Sequence, residues 1–520
     1  MSLQTRHFRL PLESIALAAG AVSLGVLAAL LVDSGRVDLT LITLLVIAGA
    51  LALSRPGISL IMVTATALLI VGFVQLYFPE LQKIRWGVAI AAGLLGTVVT
   101  LRFLFRPERK TSLPPNAGVL SVFLLLTISS AVINNQSLAQ FTFGFKGYVQ
   151  VVGIFFATAM LADQNRTLDF LPKLLVAIAI LQLPFVIQQW LVLVPQRVSL
   201  GEGVVAEDVV AGTMGATITG GGANAVLSIL LITAIAIVAS GYQLGQVRAR
   251  RAVIGCLICA VPIFLNANRV AALYLLIVFF FIFAPTMLRN TSRFLAGAII
   301  TSLLVVGSVW TNLEFGSRSE EYTDWRDLVH STLERNTARD IGYGELELNR
   351  LSSITFWWDE QFTRGNASKV LFGHGPGAAR EAGGSALPVE TLASSTFPGV
   401  GIGLTGISSI LWELGVVGLA VVTWLLFNAF RSARFLRKQS SIGPFRQFVA
   451  RGLQVSVIIF AMSLAHKNTL VFHLTYQALF YLILGVLSAW HHDARFPTKS
   501  EKTIEASTPD PVVESAAKNH

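Results

Sequence analysis

The chain has 520 residues, of which 54% are hydrophobic and 13% are charged, and its formal net charge is +10. Soluble globular proteins carry charge on roughly a quarter of their residues, so this composition excludes the soluble class and indicates a polytopic membrane protein. The Lys and Arg residues fall mostly in short loops between apolar runs, a pattern typical of membrane topology. The positive charge therefore does not indicate nucleic-acid binding.

The apolar runs predict an all-α bundle of about 14 transmembrane helices. The first run, SIALAAGAVSLGVLAALLV, has no small-residue cleavage site after it, so we expect a retained helix and not a signal peptide. Charges, Pro, Gly or Asn bound the later runs. The further predicted spans cover residues 38–54, 57–78, 86–105, 117–134, 146–162, 170–194, 223–240, 252–267, 269–288, 294–311, 402–428, 450–466 and 469–490.

Three clusters of basic residues, at 102–110, 248–251 and 431–451, set the predicted orientation. If the spans alternate, all three clusters face one side, and an excess of Lys and Arg marks the cytoplasmic side. Both termini are then cytoplasmic. The loop 195–222 and the long polar insertion after the eleventh span face the opposite, extracytoplasmic side.

The chain thus divides into four predicted parts. Residues 1–311 carry helices 1 to 11, residues 312–401 form an extracytoplasmic loop domain, and residues 402–490 carry helices 12 to 14. Residues 491–520 are short of apolar residues and predict a disordered cytoplasmic tail. Within the loop domain, helical spacing of apolar residues predicts two amphipathic helices at the membrane surface. Cys256 and Cys259 lie in an apolar run, which favours core packing over a disulfide or a metal site.

Two arginines near the extracytoplasmic face are candidate anion ligands. Arg269 begins the apolar run NANRVAALYLLIVFFFIF, where a charge is costly unless it faces a cavity or an anion; contact with lipid headgroups is the alternative. Arg350 lies on a predicted helix, where an ion pair with Glu345 or Glu347 is the alternative. A guanidinium group binds phosphate oxygens in a bidentate fashion, so both residues suit a diphosphate.

The segment KVLFGHGPGAAR places Gly373, Gly375 and Gly377 around His374. Such a turn allows close backbone approach and offers N–H donors to a phosphate or sugar oxygen, although similar runs are often only tight loops. It follows no predicted strand, which excludes a dinucleotide fold. His374 is a candidate general base, with a solvated turn histidine as the alternative.

Further candidates surround this turn. Arg364 and Arg380 flank it and suit an anion in the same way. Trp357 and Trp358 could stack on sugar rings, but aromatic residues are also expected at a membrane interface. Glu413 lies inside a predicted span, where we expect it to cap or pair within the bundle.

The order of these features resembles the O-antigen ligase and O-antigen polymerase superfamily of bacterial surface-polysaccharide assembly. The matching features are a span opened by an Asn-Arg pair, a large loop with R…W…FGxGxG, and the following span ILWELGVVGLAVVTWLLF. The segment AGTMGATITGGGANAVLSILLI is similar to the family's glycine-and-asparagine segment, with Asn224 at the matching place. The resemblance covers residues 197–430.

The resemblance implies a metal-independent glycosyltransferase of the bacterial inner membrane that needs no cofactor. Its donor would be an undecaprenyl-diphosphate-linked oligosaccharide, transferred to a hydroxyl acceptor at the extracytoplasmic face. Arg269 and Arg350 match the family's pair of diphosphate-binding arginines. Membrane lipid and polysaccharide export or chain-length proteins are the further expected partners.

One difference between this sequence and the ligases of the superfamily favours a polymerase. Ligases of this superfamily carry a His, followed by an amide or Ser, shortly before the GxxG of the span after the loop. Here Gly415 to Gly418 is that GxxG, and the matching positions hold Leu404 and Thr405. The predicted acceptor is therefore another lipid-linked repeat unit. The spacing from Arg364 to the second glycine of the turn also fits the Arg-x10-Gly pattern of these polymerases.

Functions of other classes stay open. A transporter or flippase of lipid-linked sugars also needs many spans and cavity-facing arginines. Transporters, however, place binding charges near the midplane in broken helices, whereas the candidate charges here cluster at one face. A non-catalytic subunit of a polysaccharide-export complex is the other alternative. The sequence does not choose a general base among His330, His374, Glu345 and Glu347.

Overall fold

The structure of the protein is a computed structural model. It describes residues 54–105, 112–161, 164–199, 205–218, 222–266, 268–286, 290–314, 324–337, 348–363, 366–381 and 389–496, together with the single residues 49, 220 and 346. The first predicted span, nearly all of the second, and the tail from 497 onward lie outside the described residues. Arg364, Glu345 and Glu347 also lie outside them.

The described residues fold into helices, and the β pairing recorded among them is one isolated bridge between Thr217 and Gly220. The helices are α1 Pro56–Tyr77, α2 Ile84–Leu104, α3 Ala117–Ile133, α4 Leu138–Val149, α5 Val152–Ala159, α6 Asn165–Val198, α7 Ala223–Gln243, α8 Ala249–Leu265, α9 Val270–Ile282, α10 Thr291–Glu314, α11 Trp325–Thr337, α12 Ser352–Trp358, α13 Ala367–Phe372, α14 Leu392–Ser395, α15 Gly406–Lys438, α16 Gly443–His466, α17 Thr469–Phe472 and α18 Leu474–Arg495.

Eight helices in the described part of the chain are long and apolar enough to cross a membrane. They are α1, α2, α6, α7, α10, α15, α16 and α18. A ninth span is present if α4 and α5, which meet at a bend of 45°, are counted together. The prediction of an all-helical, multi-span membrane protein is confirmed. The number of about 14 spans and the side of the termini stay predictions.

The centre of the bundle is formed by α7 and α18, which are buried along nearly their whole length. A helix that is apolar on all sides needs neighbours on all sides, and both helices have this composition. Glycine permits the closest contacts, since Gly452 of α16 lies against the backbone of Ile237 in α7. α18 ends at Arg495, beyond the predicted start of the disordered tail at 491, because His492 is buried and its Nε2 lies 3.0 Å from the Ser112 carbonyl oxygen.

A smaller apolar core lies between the loop domain and the start of α15. Helices α11 and α12 fall in the two segments predicted to be amphipathic helices of this domain. The side chains of this core come from the loop domain and from the first two turns of α15: Leu348, Trp357, Ala379, Ala393, Val400, Ile402, Leu411 and Trp412. This core fixes the loop domain to the membrane-spanning bundle.

Contacts between helices define two ends of the bundle. At the first, called the site end, the start of α7 meets the end of α8, where Asn224 Nδ2 donates to the Asn266 carbonyl oxygen at 3.3 Å. The end of α16 meets the start of α15 at the same end, since the Gly406 N–H donates to the Lys467 carbonyl oxygen at 3.1 Å. The loop domain joins the bundle here.

At the opposite end, called the basic end, Arg446 of α16 pairs with Asp169 of α6 at 2.7 Å between Nε and Oδ1. Arg451 of α16 donates to the side chain of Gln243, the last residue of α7, and to the Ile282 carbonyl oxygen at 2.9 Å. The described members of the three basic clusters all lie at this end, as the alternation of spans predicts.

Candidate functional site

The loop between α16 and α18 carries the centre of the candidate site. Lys467, the first residue after α16, directs its Nζ to Asn224 Oδ1 at 3.4 Å. Asn224 Nδ2 in turn donates to Asp208 Oδ1 at 2.9 Å and to the Asn266 carbonyl oxygen. Four chain segments therefore meet at the side chain of Asn224, the residue that the resemblance implies as a substrate ligand.

Arg350 joins the same group from the loop domain. Its Nε donates to the His466 carbonyl oxygen at 2.8 Å, directly beside Lys467. Arg350 lies in the turn before α12 and not on the predicted helix, because Asn349 Oδ1 accepts the N–H groups of Leu351 and Ser352 and so delays the helix start. The alternative ion pairs with Glu345 and Glu347 fall outside the described residues.

Arg269 lies on the loop that Asn224 holds. The loop follows α8, and the Asn268 N–H donates to Asn266 Oδ1 at 3.1 Å, so that Arg269 comes to the start of α9 at the site end. Asn268 Nδ2 is buried and has no hydrogen-bond partner among the described residues. A buried amide donor of this kind is one that a bound ligand could satisfy. We call Arg269, Arg350, Lys467, Asn224 and Asp208 the Lys467 cluster.

The charges of the Lys467 cluster are not balanced within it. Burial lowers the pKa of Lys467, Asp208 acts in the opposite direction, and Arg350 lowers the pKa again. Lys467 and Arg350 therefore repel each other, and Asp208 is the carboxylate of the cluster that attracts Lys467. A bound anion would relieve this repulsion, and a diphosphate ester has the charge and the number of acceptor oxygens to do so.

The glycine turn has a different role from the predicted one. The N–H groups of His374 and Gly375 donate to the carbonyl oxygens of Trp412 and Glu413, at 2.8 and 2.9 Å. These carbonyls are left without helical partners because α15 breaks at Gly415, where φ is 67° and ψ is −166°. The turn thus supplies hydrogen-bond donors to the carbonyl groups at the helix break. The N–H groups that were predicted to bind a phosphate already have acceptors in the protein.

The other glycines of the turn serve the same closure. Gly373 packs directly on the backbone of Glu413, and Gly377 packs on that of Gly144 in α4, so a Cβ atom would clash at either position. Glu413 is buried and accepts the Ala379 N–H with its Oε1 at 3.3 Å, in keeping with the expected capping role. The turn is therefore rigid and is not shaped around a ligand.

His374 is poorly suited to the role of general base. Its Nε2 lies 2.9 Å from Gln361 Oε1, and its ring lies beside the Trp412 ring. Burial, and to a lesser extent the charge of Lys369, lower the pKa of His374 to about 4. Because a good base has a pKa near the working pH, this imidazole would be a weak proton acceptor. His330 is exposed on α11 beside Glu334, at 3.4 Å.

The two tryptophans predicted to stack on sugars, Trp357 and Trp358, differ in exposure. Trp357 is only 2% exposed and belongs to the apolar core of the loop domain, so its ring cannot stack on a sugar. Trp358 is 49% exposed and stacks on Phe362, with 4.2 Å between ring centroids. The difference arises because consecutive helical residues point to different sides of the helix, which adjacent letters in a sequence do not reveal.

Lys467 and Asp208 were not singled out from the sequence. A lysine in a short loop between two spans is an ordinary topological marker, and an aspartate in a glycine-rich loop is an ordinary turn residue. One signal was present, since a lysine at the predicted extracytoplasmic end of a span opposes the positive-inside pattern. The partners of both residues come from distant parts of the chain, which only the fold brings together.

Neither a comparison with family models nor a search of curated proteins gives a match to this chain. Function is therefore inferred from the geometry of the Lys467 cluster and from the residue pattern described above. That geometry combines three cations, an unpartnered amide donor and one carboxylate at the end of a membrane-spanning bundle. These groups are suited to a phosphate ester whose lipid part lies in the membrane.

Proposed function

We propose that the protein polymerises undecaprenyl-diphosphate-linked oligosaccharide repeat units at the extracytoplasmic face of a bacterial inner membrane. The observation that carries the proposal is the meeting of Arg350, Lys467 and Asn224 at the site end, next to the loop with Arg269. The residues come from four separate segments that the contacts of Asn224, Arg350 and Lys467 bring to the site end. Cations that neutralise a lipid diphosphate are the main requirement of such a transferase.

In the proposed reaction, an acceptor sugar hydroxyl attacks the anomeric carbon of the donor glycan. The bond from this carbon to the diphosphate oxygen breaks as the new glycosidic bond forms, and undecaprenyl diphosphate leaves with the electron pair. The hydroxyl proton passes to a base, for which Asp208 is the carboxylate that the cluster supplies. Arg269, Arg350 and Lys467 stabilise the charge of the leaving diphosphate, and each such contact contributes roughly 10²- to 10³-fold in rate.

The distribution of charge supports the proposed orientation. Arginines gather at the basic end, together with the end of α18, and an excess of arginine is typical of the cytoplasmic side, which supports a cytoplasmic basic end. The Lys467 cluster lies at the other end. An extracytoplasmic site receives lipid-linked repeats after they have crossed the membrane, and it needs no nucleotide sugar.

A transporter is the second candidate, and the break of α15 at Gly415 favours it, since transporters use broken helices at their binding sites. In transporters, the freed carbonyls and N–H groups of the break contact the substrate. Here the freed carbonyls of Trp412 and Glu413 are bonded to the glycine turn. The ligase is less favoured, because Leu404 and Thr405 stand where ligases of the superfamily carry the catalytic histidine and the residue after it. Thr405 instead caps α15, since its Oγ1 accepts the Ser408 N–H at 3.0 Å.

The test uses cells that lack this protein and carry the wild type, Arg269→Gln, Arg350→Gln or Lys467→Gln at matched expression. Lipid-linked and surface saccharides are separated on gels. We expect each variant to lower long-chain product at least about 100-fold and to accumulate single lipid-linked repeats. Arg326→Gln, at an exposed arginine of α11, is the control and should retain long chains.

Each alternative gives its own outcome in this experiment. Long lipid-linked chains that are not transferred further would indicate a ligase. Single repeats that stay inaccessible to a glycosidase added outside the inner membrane would indicate a transporter. Wild-type chain length in all three variants would refute the role of the Lys467 cluster.

A further inference from the structure

A second group of cations lies at the site end, outside the Lys467 cluster. Arg85 is at the start of α2, Lys146 is near the end of α4, and Arg380 follows the glycine turn. Lys146 lies over the ring of Trp86, the neighbour of Arg85, and Arg380 lies over the ring of Phe143, one helical turn before Lys146, so the three residues lie close together. We call these three residues the Arg380 group.

Aromatic rings line this group. Lys146 Nζ lies 3.3 Å from the centroid of the Trp86 ring, and Arg380 Cζ lies 4.9 Å from Phe143 and 4.6 Å from Phe472. Cations held over ring faces keep their charge and much of their orientation without a carboxylate partner. Trp86 is also 42% exposed, so its ring is open to a sugar.

The scaffold beneath the Arg380 group is rigid. α4 and the glycine turn are in direct backbone contact, since a Cβ atom on Gly144 would overlap the backbone of Pro376 and Gly377. Gln136 Nε2 donates to the carbonyl oxygens of His374 and Pro376 at 3.3 and 3.2 Å. Lys146 and Arg380 are therefore held in place before any ligand arrives, which lowers the entropic cost of binding.

The Arg380 group lacks the carboxylates that would neutralise it. Burial lowers the pKa of Arg380, Glu413 acts in the opposite direction and Arg85 lowers it again. Among the residues that the structure describes, no carboxylate lies within ion-pair distance of the three cations. Glu413 is buried beneath the turn and bonded to the Ala379 N–H. Three cations beside one buried carboxylate, which already accepts a backbone N–H, suit an anion of more than one charge.

One short loop connects the two cation groups. Lys467 belongs to the first, and Phe472, whose ring lies under Arg380, belongs to the second. These residues are five positions apart, so their Cα atoms are separated by at most about 18 Å. Two lipid-linked sugars bound at the two groups would therefore face each other across a short distance.

We propose that the Arg380 group binds the diphosphate of a second lipid-linked saccharide, the acceptor, while the Lys467 cluster binds that of the donor. The inference rests on the proposed function, because polymerisation joins two molecules that both carry a lipid diphosphate. Transfer to an acceptor of any other kind would need one diphosphate site only. The rings of Trp86, Phe143 and Phe472 contact the acceptor beside its diphosphate.

The binding test uses the full-length protein in detergent, undecaprenyl diphosphate as the probe, and native mass spectrometry to count bound molecules. We expect two bound molecules for the wild type. One should be lost in the Lys146→Gln, Arg380→Gln double variant, and the other in the Arg350→Gln, Lys467→Gln double variant. Lys83→Gln, at an exposed lysine just before Arg85, is the matched control and should bind two.

Two results would overturn the inference. One is a wild-type protein that binds a single probe molecule, or a Lys146→Gln, Arg380→Gln variant that still binds two. The other is equal displacement of the probe from the Arg380 group by phosphatidylglycerol, which would identify an ordinary phospholipid headgroup site. A circular dichroism spectrum of each variant shows whether it is folded, so that loss of binding is not read from unfolded protein.

Chain length in cells separates this inference from the proposed function. If Arg350→Gln abolishes long chains and Lys146→Gln, Arg380→Gln leaves them unchanged, the second site is refuted and the polymerase stands. If cells that lack the protein still make long chains, the polymerase itself is refuted, whereas unchanged long chains in Arg269→Gln, Arg350→Gln and Lys467→Gln refute the role of the Lys467 cluster. If both proposals hold, each set of variants accumulates single repeats, and each loses a different bound probe molecule.

Discussion

His374 illustrates how burial changes the chemistry of a single residue. It lies between Gln361 and the Trp412 ring, and its pKa of about 4 keeps the imidazole neutral throughout the physiological range. A solvated histidine would gain a proton near pH 6.5. His374 therefore acts as a neutral hydrogen-bonding group of the glycine turn, and its protonation opposes the native state.

Replacement of His374 by Gln should reduce the loss of stability in acid. The unfolded chain binds a proton at this position near pH 6.5, whereas the native protein binds it near pH 4. Stability is therefore unaffected by this group above about pH 6.5 and falls progressively as the pH is lowered toward 4. The thermal unfolding midpoint in detergent, measured across this range, should fall less steeply for the variant.

Some pH dependence should remain in that variant, because burial, with the charge of Lys467 as a smaller cause, also lowers the pKa of His473 to about 4. His330→Gln, at an exposed histidine of α11, is the control. Parallel curves for the wild type and His374→Gln would show that the histidine is not buried as described.

Arg269 could be singled out from the sequence because a charge at membrane depth is costly. Arg350 was a candidate as an arginine of the loop domain, and Asn224 was singled out through the resemblance. The prediction that Trp357 stacks on a sugar was not supported, because the burial of this residue depends on which side of α12 faces the core. Lys146 was hidden in an apolar run, and its relation to Arg85 and Arg380 depends on three segments that are far apart in the chain. A single residue was thus predictable where its polarity in the membrane is costly by itself. It was not predictable where its role depends on contacts with residues from distant parts of the chain.

At the scale of helices, the break in α15 has the largest structural consequence. Gly415 adopts a backbone conformation that L side chains rarely reach, and a Cβ atom there would overlap the Leu371 carbonyl. The freed carbonyls before the break are closed by the glycine turn and by Ser130, whose Oγ donates to the Glu413 carbonyl oxygen at 3.1 Å. The break therefore attaches the loop domain to the bundle.

Gly415→Ala should destabilise the protein by about 2–4 kcal/mol through backbone strain and the clash with α13. Gly93→Ala is the matched control, because Gly93 is exposed in α2 with no atom within 4 Å of an added Cβ. The control should change stability by no more than about 1 kcal/mol, and in the favourable direction. Thermal unfolding of both variants in the same detergent measures the difference, and equal midpoints would contradict the break.

Span positions were predictable, since the apolar runs at 57–78 and 86–105 became α1 Pro56–Tyr77 and α2 Ile84–Leu104. Hydropathy sets such positions, and it needs no knowledge of neighbours. Breaks were not predictable in the same way. The predicted span 146–162 became the bent pair α4 and α5, and Gly415 breaks a run that the sequence predicts as one continuous span.

At the scale of the whole molecule, charge separates the two ends of the bundle. At the basic end Arg446 pairs with Asp169, and Arg451 contacts helix ends. At the site end, no carboxylate among the residues that the structure describes lies within ion-pair distance of the Arg380 group. The first arrangement stabilises the fold and orients it in the membrane. The second leaves charge available for a ligand.

The proposed orientation can be tested with single cysteines. The native Cys256 and Cys259 are buried and would be replaced by Ala. In intact spheroplasts, a membrane-impermeant maleimide should label Lys83→Cys at the site end, and it should label Ser440→Cys at the basic end only after lysis. The reverse pattern would place the Lys467 cluster in the cytoplasm and would contradict the proposed extracytoplasmic reaction.

The loop from Lys467 to Phe472 has a consequence for successive rounds of the proposed reaction. After each transfer, the elongated glycan is attached to the lipid that entered as the acceptor, and the former donor lipid must leave. Because a single short loop contributes one residue to each cation group, the remaining headgroup would shift along this loop to become the next donor. Under the proposed reaction the growing polysaccharide would then stay on the same protein molecule from one addition to the next, and we expect its synthesis to be processive.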